Sequence, residues 1–106
     1  MIQCTCLVQA GQISKTSEAV LRDKLNAFTE KAFGAGIEIN WIAVPEGSGF
    51  TASKPSTSSI VSMRAPEPVN QDERGPLLRE LCGFWTAETG QTLNEVVGVI
   101  SDPVTA

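Results

Sequence analysis

The chain repeats one order of secondary-structure signals: strand, helix, strand, and then the same three again. The first unit begins with a strand signal at Met1, continues with an amphipathic helix near Thr16 and ends with a strand near Ile37. The second unit begins near Ser58, and its elements are offset from those of the first by roughly 54 to 57 residues. A helix between two strands favours a right-handed parallel crossover. Two such units in 106 residues leave few architectures open.

The first unit shows both periodicities clearly. Residues 2–9 alternate, which predicts a strand whose even-numbered residues share one face. Apolar residues at helical spacing predict a helix over Thr16–Phe33, with Gly34 as its C-terminal stop. The segment Ile37–Val44 is apolar on both faces except at Glu38 and Asn40, so we expect a central, buried strand. The apolar positions of the strand and the helix are Ile2, Cys4, Cys6, Val8, Leu21, Leu25, Phe28 and Ala32.

A long irregular segment, Pro45–Ser59, separates the two units. It is rich in Gly, Ser, Thr and Pro, and at about fifteen residues it exceeds the usual connection in a compact domain, so we expect a functional loop or a linker. The third strand is predicted over Ile60–Arg64, and the fourth over Leu93–Ser101 with a short tail to Ala106.

The second helix has two candidate starts. Asn70 and Glu73 have the spacing of a capping box, but Gly75 and Pro76 interrupt that start, so regular helix is expected from Pro76. Gly90 is expected to end the helix. Its buried stripe is predicted to contain Leu78, Leu81 and Trp85.

These elements predict an α+β domain over residues 1–106, with pseudo-repeats 1–50 and 57–106. The four strands should form one mixed sheet with both helices on one face. The opposite sheet face would then be left bare. Burial of that face against other subunits is the natural remedy, so we expect an oligomer.

Composition narrows the class of partner. The formal net charge is −4, which argues against nucleic acid or an anionic membrane as a partner. No apolar run approaches the ~20 residues of a membrane span, and the N-terminus lacks the pattern of a signal peptide. Three cysteines do not suggest a secreted disulfide framework, so a cytoplasmic location is expected.

No metal or cofactor is expected. Cys4 and Cys6 form a Cys-x-Cys pair, and Cys82 is the one further cysteine. Structural zinc takes four ligands from Cys and His, and the chain has no His, so we interpret all three cysteines as core residues. The segment Gly47–Gly49 follows a strand but opens no helix, so it fails the context of a phosphate-binding loop.

Two segments resemble a known family. Ile39–Phe50, which reads INWIAVPEGSGF, is similar to the second strand and subunit-crossing loop of the tautomerase superfamily, in its fused members of the cis-3-chloroacrylic acid dehalogenase group. Ser59–Arg64 is similar to the third strand of that group, which leads to arginines that bind a substrate carboxylate. The resemblance implies a homotrimer, a small anionic substrate and a catalytic N-terminal proline.

The sequence departs from that family at the catalytic positions. Ile2, not proline, follows Met1, and a bulky second residue should prevent removal of Met1. The dehalogenase-type members use a His, a Tyr and a Glu of a longer C-terminal extension, whereas this chain has no His or Tyr and ends at Ala106. We therefore do not expect dehalogenase activity. Tautomerisation needs only a base of near-neutral pKa and a cation for the carboxylate, and α-amino groups ordinarily have pKa values of about 7.7–8.0.

Four residues are candidates for the site. Met1 would supply its amine as the proton shuttle; the alternative is an ordinary buried or frayed terminus. Arg64 and Arg74 would bind the substrate carboxylate, or else be solvated charges. Phe50 would line the site from the long loop. Lys54 in the same loop is a weaker candidate, because loop lysines are usually solvated.

Three hypotheses remain open from the sequence. The first is a tautomerase of small 2-keto carboxylates. The second is a homologue of that fold that has lost or changed the chemistry and serves in binding or assembly. The third is a dimeric ferredoxin-like α+β domain, which has the same order of elements.

Overall fold

The computed structural model describes residues 1–104, and residues 105–106 of the predicted tail lie outside the described part. The main sheet is built from four strands, and two further strands of two residues each form a small hairpin in the long loop. A 3₁₀ turn, Leu93–Glu95, precedes the last strand. The elements in chain order are β1 (Ile2–Gln9), α1 (Lys15–Phe33), β2 (Ile37–Val44), β3 (Phe50–Thr51), β4 (Lys54–Pro55), β5 (Ser59–Arg64), α2 (Gln71–Thr89) and β6 (Val96–Ser101).

The main sheet has the strand order β2-β1-β5-β6. Strand β1 is parallel to β2 and antiparallel to β5, and β5 is parallel to β6. The predicted mixed sheet of two βαβ units is confirmed. The ferredoxin-like alternative is wrong, because in that split βαβ arrangement another strand lies between the two parallel strands of a unit. Here those strands are direct neighbours, with Ile2 opposite Ile37 and Ser59 opposite Val96.

Both helices pack on the same face of this sheet. They contact each other through Phe28 and Phe84, whose ring centroids are 5.8 Å apart. Beneath them lies the core, in which Trp85 is fully buried and stacks on Trp41 of β2 at 6.1 Å. The even-numbered residues of β1 are buried, as predicted. Within residues 1–104 no helix is long and apolar enough to cross a membrane.

Strand β2 lies at an edge of the sheet, so its predicted central position is wrong. Its apolar pattern has a different cause. Residues Ile37, Ile39 and Trp41 face the helices, whereas Ile42 lies on the uncovered face and is 41% exposed. A strand that is apolar on both faces is expected to be buried on both faces. The atoms that bury the second face do not have to belong to the same chain.

Helix α2 begins before the predicted start at Pro76. Asn70 is its N-cap, and its side-chain oxygen accepts a hydrogen bond from the Glu73 N–H at 2.9 Å. This cap outweighs the one intrahelical hydrogen bond that Pro76 cannot donate. Strand β6 starts later than predicted, at Val96, because Leu93–Glu95 forms the 3₁₀ turn.

The long loop is more ordered than its composition predicts. It contains the β3–β4 hairpin, whose turn residues Ala52 and Ser53 have φ values of 51° and 65°. After the hairpin, the Thr57 carbonyl accepts hydrogen bonds of 2.8 Å from the side-chain amides of Gln12 and Gln91. The loop is therefore fastened to the body of the domain at its C-terminal end.

Candidate functional site

A cavity of about 520 Å³ lies on the uncovered sheet face, at the N-terminal end of β1. All four strands of the main sheet and the loop after β5 contribute lining residues. No Asp or Glu is among its lining residues, whereas the whole chain has a net charge of −4. The lining residues are Met1, Ile2, Gln3, Cys4, Thr5, Asn40, Ser62, Arg64, Ala65, Pro66 and Ser101.

Sheet register brings the polar lining residues together. Thr5 lies opposite Asn40 on one side and Ser62 on the other, so three polar side chains cross the sheet in one row. Arg64 lies opposite Ser101 at the adjacent edge of the cavity. Side chains alternate between faces along a strand, so these positions point away from the helices. The amide and hydroxyl groups can hydrogen-bond a small ligand that Arg64 attracts.

Met1 and Arg64 line this same cavity. The N–H of Ile2 donates to the Gly36 carbonyl at 2.8 Å, which fixes the start of β1, while Met1 beyond it is 81% exposed. The two ion pairs within residues 1–104 do not involve Arg64, and its side chain is exposed. The cavity is therefore lined by Arg64 and by Met1, the residue that carries the α-amino group, and none of its lining residues is acidic.

Arg74 does not line the cavity and is bound within the chain. One of its terminal nitrogens donates to Asp102 at 2.6 Å and to the Val69 carbonyl at 2.7 Å. The other donates to the Gln71 side chain at 3.1 Å. The Val69 N–H also donates to Asp102, at 3.0 Å, and this bond together with the Arg74 guanidinium holds the pKa of Asp102 below its ordinary value.

Phe50 lies in a different depression. It is 63% exposed and lines a concave region of about 340 Å³ at the opposite end of the uncovered face. Leu7, Val44, Ile60 and Val97 line the same region, so its character is apolar. The fold of the single chain does not bring Phe50 next to Met1 and Arg64. Lys54, the weaker candidate, lies exposed on β4.

The cysteines lie as predicted in or against the core. Cys4 and Cys6 are buried on one face of β1, with their sulfur atoms 3.9 Å apart. The hydrogen bond from Cys6 lowers the pKa of the Cys4 thiol, and the same contact together with burial raises the pKa of Cys6. Cys82 is partly buried on α2, and burial raises its pKa. In the described part of the chain, no three residues of the His, Cys, Asp and Glu types form a group that could hold a metal ion.

The sequence interpretation missed the neutral polar residues of the cavity. Thr5, Asn40 and Ser62 were available as the polar positions of otherwise apolar strands. That signal does not by itself distinguish a solvated strand face from a site, because only the pairing of three strands shows that the residues are adjacent.

Comparison with solved structures gives the same architecture. Native Ps01740 superposes with a TM-score of 0.87 over 95% of this chain and 93% of its own, at 23% identity. The structure named N1, a member of the cis-3-chloroacrylic acid dehalogenase family, has a TM-score of 0.85 over 98% of this chain and 79% of its own, at 12% identity. A fused 4-OT described as a symmetric trimer has a TM-score of 0.82 over 95% and 85%, at 13% identity.

The chain has the tautomerase fold. The fold predicted from the sequence resemblance is thus confirmed by structural neighbours of that superfamily. No protein-family model matches the sequence, and no curated protein matches it either. In this tautomerase fold, the cavity with Met1 and Arg64 lies at the end of the sheet where β1 begins.

Proposed function

We propose that the protein is a tautomerase-superfamily homologue that interconverts the keto and enol forms of a small 2-keto carboxylate. The observation that carries the proposal is the lining of the cavity, which joins Arg64 and Met1 without an acidic residue. A guanidinium matches the geometry of a carboxylate, and an α-amino group exchanges protons near neutral pH. The position of Met1 among the lining residues of this cavity supports the proposal.

The proposed reaction moves one proton. Arg64 binds the substrate carboxylate and orients the neighbouring carbonyl group. The free amine of Met1 accepts the proton from the carbon next to that carbonyl, and the resulting ammonium returns it to the oxygen, which gives the enol with no net change of atoms. Hydroxyl and amide groups of Thr5, Asn40 and Ser62 are donors for the charge that develops on the oxygen.

An oligomer follows from the same uncovered face. Ile42, Leu7, Ile60 and Val97 are register partners and form one apolar row across all four strands. Ile42, Ile60 and Val97 are 41%, 38% and 50% exposed in one chain. We propose that this row is buried in a homotrimer, the assembly named for several 4-OT structures of the same fold. Phe50, next to the row, would then contact a neighbouring subunit.

We also propose a cytoplasmic location. The three cysteines are free in the structure, including the adjacent pair Cys4 and Cys6. Free thiols persist in a reducing compartment.

The first test replaces Arg64 with Gln and follows enolisation of phenylpyruvate. We expect the Arg64→Gln variant to lose about tenfold or more in kcat/KM, chiefly through KM, because a charge-assisted hydrogen bond contributes about 1.5–3 kcal/mol. Arg22→Gln is the matched control, since Arg22 is exposed on α1, away from the cavity. Equal effects of the two substitutions would contradict the assignment of Arg64.

The second test addresses the amine of Met1. Intact mass first establishes that the purified chain begins at Met1, and enzymatic Nα-acetylation then removes the basic lone pair. We expect acetylation to abolish enolisation and to leave the thermal unfolding temperature unchanged, since Met1 is 81% exposed and contributes little burial. Full activity of the acetylated protein would exclude the amine as the proton shuttle.

A related variant, Ile2→Pro, offers a secondary amine once Met1 is removed. If the amine is the base, the processed variant should gain tautomerase activity. The Ile2 side chain is 3% exposed, so the substitution also removes core packing, and circular dichroism must confirm folding before the activity is compared.

A second candidate function is a binding protein without catalysis. It is favoured by the 81% exposure of Met1, because an open site does not exclude water from the reacting groups. Binding of 3-phenylpropionate, a monocarboxylate that cannot enolise, together with no enolisation of phenylpyruvate at high protein concentration, would support this function over the first.

A further inference from the structure

The loop between β5 and α2 forms one wall of the cavity. Arg64 ends β5, and Ala65 and Pro66 after it line the cavity. The chain then continues through Pro68 and Val69 to Asn70, the cap of α2. Two prolines restrict this loop, but they also remove two backbone N–H donors that could have fastened it to the sheet. Its attachment therefore depends on a few other contacts.

Those contacts converge on the end of β6. The Ala65 N–H donates to the Ser101 carbonyl at 2.9 Å. The next residue, Asp102, accepts from the Val69 N–H at 3.0 Å and from Arg74 at 2.6 Å. The same terminal nitrogen of Arg74 donates to the Val69 carbonyl at 2.7 Å. Arg74, Asp102 and the Val69 backbone thus form a closed set of contacts, called the Arg74–Asp102 clamp below.

The guanidinium of Arg74 has little capacity left for a ligand. Both terminal nitrogens donate to acceptors of the chain, and its Nε is buried without a hydrogen-bond partner. The side chain is 22% exposed. Bidentate binding of an external carboxylate would require Arg74 to give up Asp102, a carboxylate that is already at 2.6 Å.

We propose that Arg74 is a positioning residue: the Arg74–Asp102 clamp holds the cavity wall that carries Arg64, and Arg74 itself binds no substrate. The inference deepens the proposed function and rests on it for the identity of the ligand. Helix α2 is the rigid element in this arrangement, and the clamp ties both the loop and the end of β6 to its first turn. The cavity then has one guanidinium in each protomer, which favours a monocarboxylate.

A double-mutant cycle tests the proposal. The variants are Arg74→Gln, Asp102→Asn and the double substitution, with Lys31→Gln as the control, because Lys31 forms the other ion pair of residues 1–104, with Glu80 between the helices. Each variant is titrated with 3-phenylpropionate and assayed for KM and kcat with phenylpyruvate. Exchange of the Ala65 and Val69 amide hydrogens reports the order of the loop directly.

The clamp and a ligand role for Arg74 predict effects of opposite sign for Asp102→Asn on the binding of 3-phenylpropionate. If the clamp positions Arg64, either single substitution raises the dissociation constant of 3-phenylpropionate about tenfold, the equivalent of about 1.4 kcal/mol. The double substitution then adds little further, and exchange at Ala65 and Val69 becomes faster. If Arg74 is a ligand restrained by Asp102, Asp102→Asn strengthens binding while Arg74→Gln weakens it, and that result overturns the proposal.

The remaining outcomes separate this inference from the proposed function. Binding of 3-phenylpropionate without any enolisation of phenylpyruvate contradicts the proposed tautomerase activity. The double-mutant cycle then still tests the positioning role of the clamp. Faster amide exchange with unchanged binding means that the clamp is only structural and overturns the inference. If the wild-type chain does not bind 3-phenylpropionate, both the proposed function and the positioning role of Arg74 are contradicted. Asp102→Asn conserves shape, so thermal unfolding of that variant shows whether a loss of binding reflects positioning or loss of the fold.

Discussion

At the scale of single residues, one buried glutamine connects three parts of the chain. The Gln91 side-chain oxygen accepts from the Trp85 indole N–H at 2.8 Å, and its nitrogen donates to the Thr57 carbonyl at 2.8 Å. The same amide contacts Ser59 and the Glu95 carbonyl at 3.4 Å or less. Gln91 is 8% exposed, and its partners Trp85 and Ser59 are fully buried, so the indole N–H and the Ser59 hydroxyl depend on Gln91 rather than on water.

Replacement of Gln91 by Leu should destabilise the fold by about 2–4 kcal/mol, because it leaves the Trp85 N–H and other buried polar groups without partners. Gln12→Leu is the matched control. It removes one amide that also donates to the Thr57 carbonyl, and its oxygen is buried without a partner, so we expect a loss below about 1.5 kcal/mol. Urea unfolding measures both, and equal losses would refute the central role of Gln91.

At the scale of elements, the ends of α2 and β6 are joined through a carboxylate. Asp102 follows β6 and binds the Val69 backbone and the Arg74 side chain in the first turn of α2. The Val69 N–H and the Arg74 guanidinium lower the pKa of Asp102. Because the folded-state pKa is depressed, the contact contributes stability above the unfolded-state pKa, and this contribution is lost as the pH falls through the folded-state value.

The stability difference between the wild type and Asp102→Asn should therefore depend on pH. We expect the wild type to be more stable near pH 7, and the difference to shrink below about pH 4, the range of the unfolded-state pKa of Asp. Urea unfolding at pH 7, 5 and 3 checks this. Lys31→Gln is the control for an exposed ion pair, with a difference near zero at pH 7. A difference for Asp102→Asn that is the same at all three values would contradict the prediction.

At the scale of the whole molecule, the sheet has one covered and one uncovered face. The uncovered face has a polar end, where Thr5, Asn40, Ser62 and Arg64 surround the cavity, and an apolar end with the row that includes Ile60. A single chain that exposes such a row is expected to associate, since burial of apolar surface contributes about 25 cal/mol for each Å². Association would leave the polar end as the ligand site.

Ile60→Lys should dissociate the proposed trimer. Light scattering of the wild type is expected to give three times the 11.3 kDa of one chain, and the variant a smaller mass, because a charge in the row would be buried at the contact. Ala27→Lys, on the exposed side of α1, is the control and should leave the mass unchanged. A wild-type monomer, or a trimeric Ile60→Lys variant, would contradict the assignment of this face.

Local sequence patterns are enough to predict the main helices and strands and the class of fold. Alternation in residues 2–9 and helical spacing at Leu21, Leu25 and Phe28 are local patterns, and they need no knowledge of the rest of the chain. The predicted start of α2 was wrong because the sequence does not show whether the stabilising cap at Asn70 outweighs the hydrogen bond lost at Pro76. The predicted central position of β2 was wrong for a different reason. A strand that is apolar on both faces has the same sequence pattern whether its second face is covered by its own chain or by another subunit.

Which polar residues are neighbours depends on how distant strands pair. Thr5, Asn40 and Ser62 are far apart in the chain and become one row through strand register. Arg64 and Arg74 look alike in the sequence, yet one lines the cavity and the other is bound to Asp102. The physical reason is that the groups within hydrogen-bonding distance determine whether a charged side chain is free to bind a ligand. Those groups are brought together by the packing of segments that are distant in the sequence.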